Sequence, residues 1–165
     1  MGNASDPSAK PVAVITGGGR GIGFATVRRF VRDGYRVAVL DVNETALDAA
    51  RSELGDSDAL FLAASVAERQ ELEAALERVR SEWGRLDVLV NNAAVNRPGT
   101  VLDQRDDHWD QTIAVNLTGA FLATQLAAAV MSAQVGGGAI VNVGSIGGAG
   151  FGGSPAYAAS KAGLV

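Results

Sequence analysis

Short apolar runs alternate along the chain with longer stretches in which apolar residues recur at helical spacing. The first two runs lack the regular polar alternation of half-exposed strands, which is typical of strands buried on both faces of a parallel sheet, and five runs in all predict strands. They cover residues 12–15, 37–40, 59–63, 86–90 and 139–143. The pattern therefore predicts an α/β fold with a doubly wound parallel sheet.

End signals predict where the first helices begin and stop. An apolar stripe follows the first strand and ends at Gly34, a residue type that often terminates helices. Its members are Ile22, Thr26, Phe30 and Val31. A second helix is predicted over residues 44–54, with Asn43 as its N-cap and Gly55 as its stop.

The later helices are predicted in the same way. Ser65 and Glu68 have the spacing of a capping box, which opens a helix that Gly84 ends. The apolar stripe of this helix comprises Leu72, Leu76, Val79 and Trp83. A long helix over about residues 106–131 has a stripe made of Trp109, Ile113, Leu117, Phe121 and Leu122. Ser154 and Pro155 predict the start of the last helix.

Composition narrows the class of protein. The 165 residues are 47% hydrophobic and 19% charged, which predicts one globular domain with a sizeable core. The net charge of -4 disfavours a basic surface for nucleic acid or anionic membranes. The absence of cysteine excludes disulfides and thiolate metal sites, and His108 is the only histidine. The single histidine excludes a multi-histidine metal site, and it also excludes any Ser-His-Asp triad that does not use His108.

Residues 1–10 are small and polar, so the sequence predicts a disordered N-terminal tail and not a signal peptide. One domain is predicted over residues 11–165. No uninterrupted apolar run approaches the roughly 18 residues of a membrane helix. We therefore expect a cytoplasmic protein with neither a membrane nor a nucleic acid as partner.

The first predicted strand leads directly into a glycine-rich turn, Thr16-Gly17-Gly18-Gly19-Arg20-Gly21-Ile22-Gly23. Between a buried strand and a helix, such a turn can cradle a phosphate, because bare N–H groups and the positive end of the helix face the anion. Glycine lets the backbone approach the ligand closely. A nucleoside-triphosphate P-loop is disfavoured because no Gly-Lys-Ser/Thr follows. The alternative is a turn without a ligand.

Asp41 ends the second strand, eighteen residues after Gly23. A carboxylate there can accept hydrogen bonds from a ribose diol and repels a 2′-phosphate, which favours NAD. Arg20 in the glycine turn favours the opposite, because a cation there suits a 2′-phosphate. Val42, and not a basic residue, follows Asp41, so NAD is preferred to NADP. The alternative interpretation of Asp41 is an ordinary loop or cap residue.

Tyr157 and Lys161 are four residues apart and share one face of the last helix. An ammonium at about 4 Å favours an ionised phenol by roughly 4 kcal/mol at an effective dielectric near 20. The phenol could then exchange protons near neutral pH. The alternative is an ordinary surface pair.

The candidate functional residues all follow predicted strands. The carboxyl ends of parallel strands meet at one edge of a sheet, where such folds bind ligands. The features at this edge are the glycine turn, Asp41, Ser65, Asn91-Asn92, Ser145 and Tyr157.

Taken together, the motifs resemble the short-chain dehydrogenase/reductase family in its classical branch. They are Thr16-Gly17-x-x-x-Gly21-Ile22-Gly23, Asn91-Asn92-Ala93-Ala94, Asn116, Ser145 and Tyr157-x-x-x-Lys161. The resemblance runs from about residue 11 to Val165. It implies a Rossmann-like domain and an NAD(P)-dependent oxidoreductase that interconverts a secondary alcohol and a ketone as small-molecule substrates. It also implies a full-length form that is a homo-oligomer.

The resemblance implies a role for each site residue. Tyr157 would be the acid/base, and Lys161 would assist it and hold the nicotinamide ribose. Ser145 would hydrogen-bond the substrate oxygen, and Asn116 would anchor a water that connects Lys161 to solvent. The cofactor would be bound by Gly17, Arg20, Gly21, Ile22, Gly23, Asp41, Ser65, Val66, Asn92, Ala93, Tyr157 and Lys161.

The chain departs from the family pattern in two ways. Family members often have an aspartate beside the adenine at the position of Ser65. The replacement of a carboxylate by a hydroxyl predicts weaker discrimination of the adenine. Family members continue beyond the position of Val165 with further strands and a segment that covers the substrate, so the resemblance predicts a partial domain. The alternative function is a truncated, non-catalytic nucleotide-binding module. A methyltransferase is disfavoured because it leaves Tyr157 and Lys161 unexplained.

Overall fold

The computed structural model describes residues 10–165. The strands of this part of the chain are β1 (Val12–Thr16), β2 (Arg36–Asp41), β3 (Ala59–Ala63), β4 (Val88–Asn91) and β5 (Ala139–Asn142). They form one sheet in the order β3-β2-β1-β4-β5, and every neighbouring pair is parallel. The predicted doubly wound parallel sheet is confirmed.

Helices connect the strands. They are α1 (Gly21–Arg32), α2 (Glu44–Leu54), α3 (Arg69–Trp83), α4 (Asp106–Ile113), α5 (Gly119–Ser132) and α6 (Pro155–Gly163). A π-helical turn, Ala114–Thr118, joins α4 to α5, and a 3₁₀ turn, Ile146–Ala149, precedes α6. Of the predicted tail, residues 1–9 lie outside the described residues, and Lys10 donates from Nζ to Oδ2 of Asp58 at 2.7 Å.

The central strand β1 shows why the predicted strands are continuously apolar. All of its residues are buried. Val12 and Val14 belong to a cluster that includes side chains of α3 and α5. Ala13 and Ile15 belong to a second cluster with side chains of α1 and α2 on the opposite face. Because helices cover both faces of the sheet at β1, neither set of its alternating positions reaches water, whereas Ala139, Val141 and Asn142 of the edge strand β5 are exposed.

The side that the helical segment 106–132 turns to the core coincides only in part with the predicted stripe, of which Leu122 packs against the core. Trp109 and Phe121, members of the predicted stripe, are 41% and 60% exposed. The buried positions are mostly small or polar: Thr112, Asn116, Gly119, Ala120, Ala123, Ala127 and Met131. A close approach to the chain after β3 explains this, because a Cβ at Gly119 would lie 2.8 Å from Cγ2 of Val66.

The same segment has the length and hydropathy that would allow a helix to cross a membrane, although the sequence contains no uninterrupted apolar run of that length. Its buried side belongs to the core cluster that also contains residues of α3 and β4. We interpret it as a helical segment of the α/β domain with one buried side, because α5 packs against β4 and α3.

Two smaller predictions about helices are wrong. Ile22, at the start of α1, is 70% exposed, and Val27 takes the fully buried position of that helix. Ser65 and Glu68 do not form a capping box, because α3 begins at Arg69. Instead, the Ser65 N–H donates to the carboxylate of Glu71 at 2.7 Å, and Ser65 Oγ accepts from the N–H of Ala67.

The order of the strands fixes where a ligand can bind. From β1 the chain proceeds to β2 and β3 on one side, and then returns to β4 and β5 on the other. The loops after β1 and β4 therefore diverge and leave a crevice at the carboxyl edge of the sheet. Open α/β sheets bind their ligands at such a point.

Candidate functional site

A cavity of about 500 Å³ opens at this crevice. Its lining contains ten of the residues predicted to bind the cofactor: Gly17, Arg20, Gly21, Ile22, Gly23, Asp41, Ser65, Val66, Asn92 and Ala93. The remaining lining residues were not predicted: Val42, Ala64, Ala94, Val95, Gln111 and Val115. Four of these six lie next to predicted residues or continue their loop. Gln111 and Val115 belong to the helix 106–132, where only the neighbouring Asn116 gave a signal.

The glycines of the turn serve two different purposes. Gly17 has a φ of +62°, and a Cβ on it would lie 2.8 Å from Cα of Ala93. A Cβ on Gly23 would lie 2.1 Å from the carbonyl oxygen of Gly17. Gly21 has a φ of +55°, but apart from its chain neighbours and its own helix no part of residues 10–165 lies within 4 Å of the position that a Cβ would take there. Gly17 and Gly23 are required because a side chain there would collide with other parts of the protein. Gly21 is not in such a contact, and its lack of a side chain keeps the cavity open.

The N-terminus of α1 offers donors to an anion. The first helical bond runs from the N–H of Phe24 to the carbonyl of Arg20 at 3.1 Å. The N–H groups of Gly21, Ile22 and Gly23 precede this bond, so the helix supplies them with no acceptor. Arg20 makes no side-chain cap. Arg20, Gly21, Ile22 and Gly23 line the cavity. Its wall therefore has the N–H donors and the positive end of the helix dipole that suit a phosphate.

Asp41 is held in place by two backbone donors. Its Oδ2 accepts from the N–H of Gly19 at 3.0 Å, and its Oδ1 accepts from the N–H of Asn43 at 3.0 Å. Asn43, and not Asp41, caps α2. Each carboxylate oxygen has further acceptor capacity, so the fixed carboxylate can receive hydroxyl donors from a ligand. Arg20 lines the same cavity, and no ion pair joins it to a carboxylate of residues 10–165.

Asn92 and Thr16 join the two loops of the crevice. The Asn92 amide donates to the carbonyl oxygens of Thr16 and Gly17, both at 3.0 Å. Thr16 Oγ1 accepts from the backbone N–H groups of Asn92 and Ala93 at 3.0 and 3.1 Å. Asn92 thus braces the glycine turn. The neighbouring Asn91 is 4% exposed, does not line the cavity and donates into the core.

The four predicted catalytic residues are not among the residues that line the cavity, and the contacts of Tyr157 and Lys161 with the cofactor stay predictions. Asn116 nevertheless holds the cavity wall, because its Oδ1 accepts from the N–H of Val95 at 2.8 Å. Its Nδ2 donates to the Val95 carbonyl and to Ser160 Oγ. Asn116 is 1% exposed and lies in the π-helical turn, a feature that is frequent at functional sites.

Lys161 and Tyr157 pack together with the loop after β5. The ammonium of Lys161 donates to the Val143 carbonyl at 2.7 Å and lies 6.0 Å from the centroid of the Tyr157 ring. A Cβ on Gly147 would lie 3.2 Å from Cε1 of that ring. Ser145 Oγ accepts from the N–H of Gly147 at 3.1 Å. Ser145 and the phenol ring of Tyr157 therefore both lie beside Gly147 of this loop.

Lys161 is 2% exposed, so the interpretation of Tyr157 and Lys161 as a surface pair is wrong. Burial lowers the pKa of Lys161 from its ordinary value of 10.5, because the ammonium loses its hydration. Within residues 10–165 no carboxylate forms an ion pair with it. The fold thus holds a desolvated amine one helical turn from a phenol.

Comparison with known proteins identifies the family. The model of the short chain dehydrogenase family matches residues 11–165. The chain belongs to this family. Short-chain dehydrogenases are oxidoreductases that use NAD(P), and the glycine turn, the free N-terminus of α1 and the fixed carboxylate of Asp41 fit such a dinucleotide.

Two relatives and one solved structure show how far the similarity extends. The chain is 42% identical over 161 residues to cis-4-hydroxycyclohexanecarboxylate dehydrogenase of Sinomonas cyclohexanicum, covering 95% of this chain and 64% of the relative. It is 38% identical over 161 residues to the 3-oxoacyl-[acyl-carrier-protein] reductase FabG of Thermotoga maritima, covering 93% and 63%. The crystal structure of gox2181 superposes with a TM-score of 0.87 at 30% identity, covering 94% and 63%. The chain thus spans just under two thirds of the length of these short-chain dehydrogenases.

Alanine substitutions should separate the two purposes of the glycines. In Gly23→Ala, the new Cβ would lie 2.1 Å from Gly17 O, so we expect a loss of about 3 kcal/mol of unfolding free energy. In Gly21→Ala, only the positive φ opposes the side chain, at about 1–2 kcal/mol, but the methyl group enters the cavity and should weaken NADH binding. Urea unfolding and NADH fluorescence titration measure the two effects.

Gly34→Ala is the matched control for Gly21→Ala. Gly34 has a φ of +86°, also has open space at its Cβ position and lies at the other end of α1. It should show the same backbone strain without loss of NADH affinity. Equal NADH affinity in the Gly21 and Gly34 variants would contradict the assignment of Gly21 to the cavity wall.

Buried Lys161 should make stability depend on pH in the alkaline range. Between the lowered folded-state pKa and 10.5, the unfolded chain binds a proton that the folded protein lacks, so the free energy of unfolding rises with pH. Below this window the folded state carries the full desolvation cost. Lys161→Met has no such cost, so its stability advantage over the parent should shrink as pH rises through the window.

Urea unfolding at a series of pH values measures this difference. Lys10→Met removes the other lysine of the sequence, whose exposed ammonium pairs with Asp58, and serves as the control. A stability difference between Lys161→Met and the parent that stays constant across the alkaline range would show that the amine is not desolvated.

Proposed function

We propose that this protein is an NAD-dependent oxidoreductase that interconverts a secondary alcohol and a ketone, with Tyr157 as the acid/base. The observation that carries the proposal is the buried Lys161 beside Tyr157, at the edge of a sheet whose cavity has an anion-binding helix terminus and a fixed carboxylate. A purely structural core has no use for an unpaired ammonium at this position.

The lining residues divide the dinucleotide among them. The N–H groups at the start of α1 would hold the pyrophosphate, and Asp41 would accept the hydroxyl groups of the adenosine ribose. Ser65 would face the adenine, since its Oγ accepts from Ala67 and its proton is left for a ligand acceptor. When bound, the dinucleotide supplies hydride donor or acceptor chemistry at the nicotinamide.

The residues around the loop after β5 would handle the proton. Ser145 Oγ accepts from Gly147, and its O–H donates to no group among residues 10–165, so it can donate to the substrate oxygen. Tyr157 would take the hydroxyl proton during oxidation of an alcohol and return it during reduction of a ketone. The ammonium of Lys161 would stabilise negative charge on the phenol in this poorly hydrated site.

Two relatives support the substrate class. One relative is named a dehydrogenase of a hydroxycyclohexanecarboxylate, whose hydroxyl is on a ring carbon, and the other a reductase of a 3-oxoacyl group. A secondary alcohol and a ketone are the common chemistry of the two names. We propose a small molecule of this class as the substrate, and a cytoplasmic protein without a nucleic-acid or membrane partner.

A homo-oligomer is also proposed. Trp109 and Phe121 are exposed on the helical segment 106–132, and the resemblance to the family implies a homo-oligomer. Burial of two aromatic side chains between copies would remove a large apolar area from water.

A nucleotide-binding module without turnover is the second candidate. It is favoured by the hydrogen bond from Lys161 to the Val143 carbonyl and by the absence of Tyr157 from the cavity lining. Both candidate functions use the same dinucleotide site. They differ in whether Tyr157 transfers a proton to or from a substrate.

Tyr157→Phe distinguishes the two candidates. If the phenol transfers the proton, the variant should lose at least about a hundredfold in turnover of secondary alcohols, followed as NADH formation. NADH affinity should stay within about twofold, because the ring is retained. Tyr35→Phe changes the only other tyrosine and is the control. Tight NADH binding without turnover in the parent would favour the binding module, and an active Tyr157→Phe variant would exclude Tyr157 as the acid/base.

Asp41→Ala tests the cofactor preference. Removal of the carboxylate should relax the ratio of NAD to NADP affinity by about tenfold, because the repulsion of the 2′-phosphate is lost. Arg20→Ala should move the same ratio in the opposite direction, since Arg20 is the cation of the turn. Isothermal titration with NADH and NADPH measures both ratios, and an unchanged ratio in Asp41→Ala would remove Asp41 from the explanation of specificity.

A further inference from the structure

Two buried serine hydroxyls bond the peptide groups of Tyr157. The Tyr157 N–H donates to Ser154 Oγ at 3.4 Å, and Ser160 Oγ donates to the Tyr157 carbonyl at 2.8 Å. Ser154 is 3% exposed and Ser160 is fully buried. Neither serine has a role in the proton transfer proposed above, and neither lines the cavity.

Ser154 is also bonded to the loop that follows β4, and Ser160 is connected to that loop through Asn116. Ser154 Oγ donates to Oδ1 of Asn96 at 3.2 Å. Ser160 Oγ accepts from Nδ2 of Asn116 at 3.1 Å, and the Asn116 amide bonds both backbone groups of Val95. Val95 lines the dinucleotide cavity. The backbone of Tyr157 is thus connected to two adjacent residues of the cavity loop by two separate routes.

The directions of these hydrogen bonds are complementary. Ser154 accepts from Tyr157 and donates to the loop, whereas Ser160 accepts from the Asn116 amide and donates to Tyr157. Each hydroxyl uses its proton and one acceptor site, so its orientation is determined. Because both serines are buried, a lost partner would leave a polar group without a hydrogen bond.

An ordinary helical serine lacks this second connection. Ser81 on α3 donates to the Arg78 carbonyl at 3.0 Å, which is the same bond to the third preceding residue that Ser160 makes. Ser81 is exposed, and within residues 10–165 no donor to its hydroxyl is present. Ser160 therefore does more than satisfy a carbonyl of its own helix.

We propose that Ser154 and Ser160 are positioning residues that lock the peptide of Tyr157 to the cavity loop and so fix where the phenol stands relative to the bound dinucleotide. The role as a positioning pair rests on the proposed function of Tyr157. The hydrogen-bonded connection itself can be tested without turnover.

Ser160→Ala and Asn96→Ala interrupt the two routes separately. Asn96 is exposed, so its substitution removes the link to Ser154 while the cap on Tyr157 is kept. Each variant should lower kcat about five- to tenfold, the equivalent in rate of about one net hydrogen bond. The KM for the dinucleotide should change less than about twofold, because no cavity group is removed. Ser81→Ala, the matched control, should change neither.

A spectroscopic measurement covers the case in which no substrate is turned over. The sequence has two tyrosines, Tyr35 and Tyr157, so 3-fluorotyrosine labelling gives two fluorine NMR signals. Tyr35 contacts the Phe30 ring, far along the chain from α6, and serves as an internal reference. In Ser160→Ala and Asn96→Ala, the Tyr157 signal should shift or broaden, and the Tyr35 signal should stay in place.

The outcomes separate this proposal from the proposed function. A displaced Tyr157 signal with no turnover in the parent would support the connection and refute the dehydrogenase. Unchanged Tyr157 signals in both variants, or a fall in melting temperature with kcat intact, would reduce the serines to ordinary helix-stabilising residues and overturn the proposal. Ser160→Thr retains the hydroxyl, and recovery of kcat in this variant would support positioning by the hydroxyl group. Failure of Ser160→Thr to recover kcat while it unfolds at the parent's melting temperature would count against it.

Discussion

The contact between the ends of β1 and β4 is the constraint on which the site depends. Thr16 Oγ1 accepts hydrogen bonds from the backbone N–H groups of Asn92 and Ala93, which follow β4. The Asn92 side-chain amide in turn donates to the carbonyl oxygens of Thr16 and Gly17. A Cβ on Gly23 has no space here, because Gly17 O would lie 2.1 Å away. This tight junction sets the first turn of α1, whose N–H groups line the cavity and are proposed to bind the pyrophosphate. The cavity is therefore a consequence of how two adjacent parallel strands end.

Features encoded by neighbouring residues could be predicted from the sequence. The strands β1 and β2 can be predicted because helices cover both faces of the sheet there, which makes these runs continuously apolar, whereas β5 is apolar but mostly exposed. Asn43 and Ser154 were recognised as caps because a cap bonds a backbone group two or three residues away. The glycine turn and Asp41 could be placed together because one βαβ unit contains both. The limits of the long helix were predicted, but not its buried side.

The missed features depend on contacts between distant segments. Large apolar residues marked one side of the helix 106–132, but close packing of Gly119 against Val66 selects the side with small residues. The bond from Ser65 to Glu71 replaces the predicted capping box because the chain makes an additional turn before α3. Gln111 lines the cavity only because this helix crosses the crevice. The bonds of Ser154 to Asn96 and of Ser160 to Asn116 join positions more than 40 residues apart, and no local pattern reports them.

The energetics of Lys161 favour a functional explanation of its burial. Its ammonium is almost without solvent contact, and the carbonyl oxygen of Val143 can accept its hydrogen bond but cannot neutralise its charge. A well-packed apolar side chain of similar length would avoid this desolvation cost. The sequence has twelve arginines and only two lysines, so a lysine at this position is not a reflection of composition. An amine, unlike a guanidinium, is a compact charge whose proton affinity responds to burial. The fold therefore retains at Lys161 a group that weakens its stability, and this supports the proposed action of Lys161 on the phenol of Tyr157.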